Sequence, residues 1–278
     1  MSEASGRIER CFEALKEEGR AGFIPFIMAG DPNLQDSEII LSNMAKAGAD
    51  LIEIGMPFSD PMADGPSVEL AGLRALAAGQ TMVKTLAMVS RFREANDHTP
   101  IILMGYYNPI YHYGVDKFLA DAKKAGVDGF IVVDLPFEED AEFCLPAGEA
   151  GLVFVRLLPP PSINDERLSK VLQNIGGFLY YVSVAGTTGA AMGGPEAVKA
   201  ARDHVARFSD LPMAVGFGIR TRDDVVAMSG SADAVVVGSA LLECIEKTTK
   251  NDGTIDAAGH ETVLEFTCDL VSGVRGAK

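Results

Sequence analysis

The sequence predicts an α/β fold in which eight parallel strands, each followed by a helix, close into a single-domain (β/α)8 TIM barrel. Short apolar runs rich in β-branched residues recur along the chain, and amphipathic stretches of helical period lie between them. Nearly continuous apolar strands are typical of a parallel sheet covered on both faces, and their alternation with helices indicates repeated βαβ units. The predicted strands are Phe23–Ala29, Asp50–Gly55, Pro100–Gly105, Gly129–Asp134, Leu152–Leu157, Phe178–Val184, Met213–Gly216 and Ala234–Val237.

A weak internal repeat supports the barrel. Ala-Gly-Ala-Asp at 47–50, Ala-Gly-Val-Asp at 125–128 and Ser-Gly-Ser-Ala-Asp at 229–233 each precede a predicted strand. We expect each glycine to take the left-handed conformation that ends a helix, and the following polar residue to turn the chain into the strand. An open doubly wound sheet is the alternative, but that fold would be expected to carry a GxGxxG turn after its first strand, and none is present there.

The whole chain, 1–278, is expected to form one domain. A length of 278 residues would also allow two domains of average size, but no linker or low-complexity segment divides the sequence. Amphipathic helices such as Ser37–Ala47, Val115–Ala125 and Glu138–Glu149 fall between strands of a barrel that spans about 21–250. Extra helices are expected before and after it, at about 3–18 and about 258–273.

The composition excludes several classes of function. With 24 basic against 39 acidic side chains the net charge is −15, so nucleic acids and anionic membranes are poor partners. The four cysteines form no CxxC pair, which favours a reduced chain without disulfides, and the isolated histidines predict no metal site. A polar N-terminus and the lack of a long apolar run indicate no signal peptide and no transmembrane helix, so a cytoplasmic protein is expected.

The second predicted strand and its loop contain the strongest catalytic candidates. Glu53 is a carboxylic acid in an otherwise apolar strand, and burial inside a barrel would raise its pKa toward neutrality, as a general acid/base requires. A buried structural ion pair is the alternative for this residue. Asp60 and Asp64 follow in a proline-stiffened loop, where turn-capping would explain either aspartate alone but the combination suggests a site.

Glycine-rich segments after three later strands suggest a ligand. The segment 183–195 predicts a mobile lid, with a flexible surface connection as the alternative. The turns at 216–220 and 237–241 end the last two strands, where barrels recurrently bind phosphate through backbone N–H groups, so we expect a phosphate-bearing ligand. The tyrosine-rich stretch 106–113 either lines a pocket or covers the barrel rim.

These motifs together resemble the α subunit family of tryptophan synthase. The resemblance extends from about Arg7 to the end of the chain, and its most specific part is the loop Gly-x-Pro-Phe-Ser-Asp-Pro-x-Ala-Asp-Gly-Pro within 55–66. The other matching motifs are Phe-Ile-Met-Ala-Gly-Asp-Pro at 26–32, Asp-Leu-Pro at 134–136, Gly-Phe-Gly-Ile at 216–219 and Gly-Ser-Ala at 238–240.

The resemblance implies a lyase that cleaves indole-3-glycerol phosphate to indole and glyceraldehyde 3-phosphate by a reverse aldol reaction, without a cofactor in this chain. It implies that Glu53 is the general acid/base that helps to protonate indole C3. Asp64 would accept the indole N–H and stabilise positive charge on the ring. The substrate-binding residues that the resemblance implies are Phe26, Tyr180, Thr188, Gly189, Phe217, Gly218, Gly238 and Ser239.

The same resemblance implies a partner, a pyridoxal-phosphate-dependent β subunit that receives indole in an α2β2 heterotetramer for tryptophan biosynthesis. Pro57 and Asp60 would then face that partner. The lid departs from the family pattern at Ala185 and Thr187. Three alternatives stay open: a stand-alone lyase that releases free indole, a catalytically silent regulatory barrel, and another phosphosugar barrel.

Overall fold

The computed structural model describes residues 6–160, 164–182, 194–216 and 218–276 of the chain. Within these residues nine parallel strands form one sheet in the order β5-β4-β3-β2-β1-β9-β8-β7-β6. The carboxyl ends of parallel strands meet at one face, so residues at the strand ends converge there. The strands are β1 Gly22–Met28, β2 Ile52–Gly55, β3 Ile101–Gly105, β4 Gly129–Val132, β5 Val153–Phe154, β6 Arg156–Leu158, β7 Leu179–Val182, β8 Met213–Gly216 and β9 Ala234–Val237.

The predicted fifth strand, Leu152–Leu157, is divided into two short strands that pair with the strands on opposite sides of it. β5 pairs with β4, whereas β6 pairs with β7, and only Val155 separates the two short strands. The Val155 N–H still donates to the Phe130 carbonyl at 2.9 Å. Because strands of a barrel are staggered, a short strand meets its two neighbours over different parts of its length. The barrel prediction is therefore confirmed, with its fifth strand shared between two neighbours.

Helices surround the sheet. They are α1 Arg7–Glu18, α2 Leu34–Ala47, α3 Pro66–Ala77, α4 Met82–Ala95, α5 Tyr107–Tyr113, α6 Val115–Ala125, α7 Cys144–Glu149, α8 Asp165–Val171, α9 Pro195–Val205, α10 Arg222–Ser229, α11 Ser239–Thr248 and α12 Ala257–Arg275, with a 3-10 helix at Phe137–Glu142. The single helix predicted over Glu138–Glu149 is wrong, since the chain leaves helical geometry at Phe143. Pro146 explains the break, because its ring would clash with the Glu142 carbonyl in a continuous helix.

The internal repeat has a structural basis at the amino ends of the strands. Three aspartates, one from each copy, accept a hydrogen bond from the first or second backbone N–H of an earlier strand and also pair with an arginine. The groups are Arg20, Asp50 and the Phe23 N–H; Arg93, Asp128 and the Ile101 N–H; and Arg202, Asp233 and the Met213 N–H. These hydrogen bonds and ion pairs connect the surrounding helices to the sheet at the amino ends of the strands, opposite the face where the carboxyl ends meet.

The glycines of the repeat follow the prediction in two copies only. Gly48 and Gly126 are left-handed, with φ of 96° and 88°. Gly230 has a φ of −79°, so the expectation of a left-handed glycine is wrong there. This copy has one more residue between its glycine and Asp233, which lets the chain turn without a positive φ.

The C-terminal helix α12 packs against α2 and α10. A buried polar contact helps to fix it, since the Asp36 carboxylate lies 2.9 Å from His260 Nε2 and also accepts the Ile255 N–H. Among the described residues, no helix combines the length and the apolar character needed to cross a membrane.

We predict that Asp128→Ala destabilises the barrel. The aspartate is 8% exposed, accepts from Arg7, Arg93 and the Ile101 N–H, and its loss would leave the nearly buried Arg93 guanidinium uncompensated. Breaking a buried pair in this way costs about 3–5 kcal/mol, which urea unfolding would measure. The exposed pair of Lys199 and Asp203 provides the control, and Asp203→Ala should leave the unfolding midpoint nearly unchanged. Equal effects of the two substitutions would contradict the structural role of Asp128.

Candidate active site

Glu53 is the most isolated ionisable group of the described structure. It lies in β2 between Phe26 of β1 and Ile102 of β3, and it is fully buried. Neither carboxyl oxygen has a hydrogen-bond partner among the described residues, and none of their basic side chains pairs with it. Desolvation alone raises the pKa of Glu53 to about 8. The described residues therefore give no support to a structural ion pair, and Glu53 has the protonation behaviour of a general acid at neutral pH.

Tyr180 of β7 lies close to Glu53. Burial raises the pKa of the Tyr180 phenol well above its usual range, and the charge of Glu53 raises it further. The tyrosine ring occupies space that Gly216 leaves open on the neighbouring strand, since a Cβ atom at Gly216 would lie 2.1 Å from the Tyr180 hydroxyl. The Tyr180 ring can therefore lie close to Glu53 only because residue 216, at the end of β8, is a glycine.

Asp64 lies in the loop between β2 and α3 and is half-buried. Desolvation raises the pKa of its carboxyl group, and Glu69 adds to this effect, whereas a hydrogen bond from Tyr106 opposes it. The side chain lines the same cleft as Phe26 and Tyr106. The Tyr106 hydroxyl favours the ionised form of Asp64, and in that form the carboxylate can accept a hydrogen bond from a ligand.

Tyr106 is a site residue that the sequence left undecided. Its hydroxyl accepts the Ala63 N–H at 3.0 Å and donates to the neighbouring Asp64 carboxylate, so a single group holds the loop at two points. Its ring also packs against Phe58, with 5.6 Å between ring centroids. Within the tyrosine-rich stretch, Tyr106 is 2% exposed whereas Tyr111 is 66% exposed, so this stretch both lines the cleft and covers the rim. The position of Tyr106 directly after β3 was the available signal.

The cleft beside Asp64 is mainly apolar. Its walls come from the ends of neighbouring strands and from the loop after β2, and they include Phe26, Met28, Phe58, Val68, Met104 and Val133. Aromatic and aliphatic walls with the carboxylates of Asp64 and Glu69 at the edge suit a flat, largely apolar ligand that carries a hydrogen-bond donor.

The two glycine turns predicted for a phosphate lie on neighbouring strands, since β8 pairs with β9. Gly218 has a φ of +77°, which side chains rarely adopt. Gly238 precedes α11, and a Cβ atom at this position would lie 3.4 Å from the Phe26 Cβ, so the second turn borders the aromatic cleft. Ser239 is the first residue of α11, whose free N–H groups can bind an anion.

Other predicted residues lie at the rim or outside the described residues. Pro57 is half-buried and Asp60 is exposed in the loop after β2, where the Asp60 carboxylate accepts from the Ser59 hydroxyl at 2.5 Å. Thr188, Gly189 and Phe217 lie outside the described residues, as does the lid segment 183–193. The structure thus brings Phe26, Glu53, Asp64, Tyr180, Gly218, Gly238 and Ser239 to the carboxyl-terminal face of the barrel.

We predict that Glu53→Gln removes a pH-dependent cost of folding. The pKa of Glu53 rises from 4.5 to about 8 on folding, so the folded protein holds this proton more tightly than the unfolded chain. Wild-type stability should therefore fall relative to the variant as pH rises between these two values, by up to about 1.4 kcal/mol per pH unit. Urea unfolding of both proteins at about pH 5, 6.5 and 8 measures the difference. Parallel stability curves would refute the raised pKa.

A family model and several solved structures are similar to this chain over most of its length. The family model described as "Tryptophan synthase alpha chain" matches residues 12–267. A crystal structure of tryptophan synthase subunit alpha from Legionella pneumophila is 36% identical, with a TM-score of 0.88 and coverage of 98% of this chain and 100% of that chain. Tryptophan synthase of M. tuberculosis in an aminoacrylate-bound form is 30% identical, with a TM-score of 0.85 over 98% of this chain and 100% of that one.

A structure from Aquifex aeolicus is similar as well, at 32% identity and a TM-score of 0.86, with 97% of this chain and 99% of that chain covered. These matches extend over the barrel and both terminal helices rather than over one motif. The chain belongs to the tryptophan synthase alpha chain family.

Proposed function

We propose that this protein cleaves indole-3-glycerol phosphate to indole and glyceraldehyde 3-phosphate, with Glu53 as general acid/base and Asp64 as the acceptor of the indole N–H. Its family catalyses this lyase reaction. The observation that carries the assignment of roles is the environment of Glu53, a buried carboxyl group with a pKa of about 8. An acid that stays protonated at neutral pH is the group that protonation of a ring carbon requires.

The proton balance of the reaction is consistent with one group acting twice. Protonated Glu53 gives its proton to C3 of the indole ring, which makes the ring a cation and leaves Glu53 as a carboxylate. The bond between C3 and the glycerol chain then breaks, and its electron pair returns to the ring to form neutral indole. The adjacent carbinol hydroxyl becomes the aldehyde, and the Glu53 carboxylate takes the proton that this hydroxyl loses.

Asp64 acts on the charge that develops in the ring. Once C3 is protonated, positive charge reaches the ring N–H, and a fixed carboxylate in an apolar cleft stabilises it more than water would. The hydrogen bond from Tyr106 favours the ionised form of Asp64, which this role requires. Phe26 would pack against the ring, and Tyr180 would border the acid. The turns at Gly218, Gly238 and Ser239 would hold the phosphate through backbone N–H groups.

We further propose a β subunit as partner, in an α2β2 heterotetramer that passes indole to pyridoxal phosphate held by that partner. Support comes from the loop after β2, which contains Asp64 on its cleft side and the exposed Asp60 on its outer side. Met62 of the same loop is 76% exposed, so a protein that covered this loop would bury apolar surface and also contact the catalytic segment. Thr188, Gly189 and Phe217 stay predicted substrate contacts, and the cytoplasmic location stays a prediction.

Release of glyceraldehyde 3-phosphate from indole-3-glycerol phosphate tests the proposal. Glu53→Gln should retain less than about a tenth of the wild-type rate, a loss of at least ~1.4 kcal/mol in barrier stabilisation. Asp64→Asn should lower kcat rather than only raise KM, because the contact strengthens in the transition state. Asp97→Asn, at the opposite end of the barrel, serves as the matched carboxylate-to-amide control.

The same assay with a matched β subunit separates the alternatives. Slow release that rises on addition of the partner supports the heterotetramer. Rapid release that the partner does not change would indicate a stand-alone lyase, and no release under either condition would indicate a silent regulatory barrel.

We predict that Tyr106→Phe shifts the pH dependence of turnover. Loss of the hydroxyl removes the hydrogen bond that opposes the raised pKa of Asp64, so this pKa should rise further and the acidic limb of the kcat profile should move to higher pH. Tyr107→Phe is the control, since the Tyr107 hydroxyl donates to the exposed Glu142 at 2.9 Å. A Tyr106→Phe profile with an unmoved acidic limb would show that Tyr106 does not tune Asp64.

A further inference from the structure

The helix after the Asp64 loop and the helix after the second glycine turn pack against each other. α3 begins at Pro66, two residues beyond Asp64, whereas α11 begins at Ser239 directly after Gly238. The proposed catalytic loop and the proposed phosphate turn therefore each continue into one of two helices in contact. A contact between rigid elements of this kind can transmit a displacement from one half of the site to the other.

Glu243 of α11 lies at the point where three segments of the site meet. Its Oε1 atom accepts a hydrogen bond from the Ser67 hydroxyl of α3 at 3.0 Å. Its Oε2 atom accepts from the guanidinium of Arg220, two residues after Gly218. Each oxygen of this carboxylate thus binds a different part of the site, the first the start of α3 just after the Asp64 loop and the second the end of the first glycine turn.

The backbone at Arg220 is held in place by a separate set of hydrogen bonds. The backbone N–H groups of Arg220 and Thr221 both donate to the Asp224 carboxylate at the start of α10. The Asp224 carboxylate thus holds the backbone just after Gly218, and the Arg220 side chain extends from that anchored backbone to Glu243. A change in the glycine turn would therefore reach Glu243 through the Arg220 side chain, because the backbone there has little freedom to absorb it.

A second bridge between the same helices provides a comparison. Arg74 of α3 pairs with Glu246 of α11 at 3.2 Å and with the buried Asp31 at 2.7 Å. This bridge holds the helices together, and within the described residues the hydrogen bonds of Arg74 go to Asp31 and Glu246 rather than to either glycine turn. Glu246 is thus a carboxylate on the same helix with the same type of partner but without a link to the proposed phosphate.

We propose that Glu243 is a positioning residue that couples occupancy of the phosphate turns to the order of the Asp64 loop, through Arg220 on one side and Ser67 on the other. The inference rests on the proposed function, because it assumes that the glycine turns bind phosphate. A bound phosphate would hold the first glycine turn, and with it Arg220 and Glu243. Glu243 would in turn hold the first turn of α3, which follows Asp64 in the chain.

Hydrogen exchange with inorganic phosphate as the probe tests this coupling. In the wild-type protein, phosphate should slow exchange both in peptides that cover 214–222 and in peptides that cover 56–72, by at least about threefold in each. In Glu243→Ala, which lacks both acceptor oxygens, phosphate should still slow exchange at 214–222 but not at 56–72. Ser67→Ala should behave in the same way, Ser67→Thr should restore the coupling, and the matched control Glu246→Ala should resemble the wild type.

The outcomes separate the two proposals. If inorganic phosphate changes exchange nowhere in the wild type, the phosphate site is wrong and the coupling falls with it. If phosphate slows exchange at 214–222 but has the same effect on 56–72 in wild type, Glu243→Ala and Ser67→Ala, the phosphate site stands and the coupling through Glu243 is overturned. Ser67→Ala leaves the pair of Arg220 and Glu243 intact, so the test does not depend on the folding of Glu243→Ala.

Discussion

The burial of Glu53 without a partner among the described residues is the constraint on which the active-site face depends. A carboxyl group in an apolar strand is tolerated because it stays protonated, and the surrounding strands keep it so by excluding water. That exclusion requires close packing at the strand ends, where Phe26 pairs in register with Glu53 and Tyr180 fills the space that Gly216 leaves. The raised pKa is therefore a property of the barrel as much as of the residue.

The carboxyl groups at the two ends of the barrel differ in how well they are paired. At the amino ends of the strands, Asp50, Asp128 and Asp233 are paired with arginines and with backbone N–H groups, so their charges are compensated. At the carboxyl ends, Glu53 lacks a partner within the described chain and Asp64 has an elevated pKa. Rigid polar groups with satisfied hydrogen bonds at one face allow the other face, where barrels of this type have their active sites, to hold buried carboxyl groups that are unfavourable for folding.

The sequence predicted the repeating features better than the features that depend on packing between distant segments. The alternation of apolar runs with amphipathic stretches was sufficient to predict a barrel of eight βα units. The glycine–aspartate repeat marked the points where the chain enters three of the strands. The division of the fifth strand at Val155 follows from barrel stagger, which no local pattern encodes. The break at Phe143 could have been predicted, because Pro146 is visible in the sequence. The position of Tyr106 after β3 was a signal, but its contact with the Ala63 N–H, 43 residues away, was not visible in the sequence. The contact of Glu243 with Ser67, 176 residues away, was not visible either.

The contrast between Glu53 and Asp64 shows how one face of a barrel can hold two carboxyl groups in different electrostatic environments. Desolvation raises both pKa values, but Glu53 has nothing to offset it among the described residues, whereas Asp64 receives the Tyr106 hydrogen bond and lies closer to solvent. The first is therefore favoured as a proton donor and the second as an anion, which is the separation that acid–base chemistry on a ring needs. Tyr106 produces part of this difference and also fixes the loop through the Ala63 N–H. The electrostatics and the geometry of Asp64 consequently both depend on the Tyr106 hydroxyl group, because its hydrogen bond to the carboxylate lowers the pKa of Asp64 and its contact with the Ala63 N–H fixes the adjacent backbone.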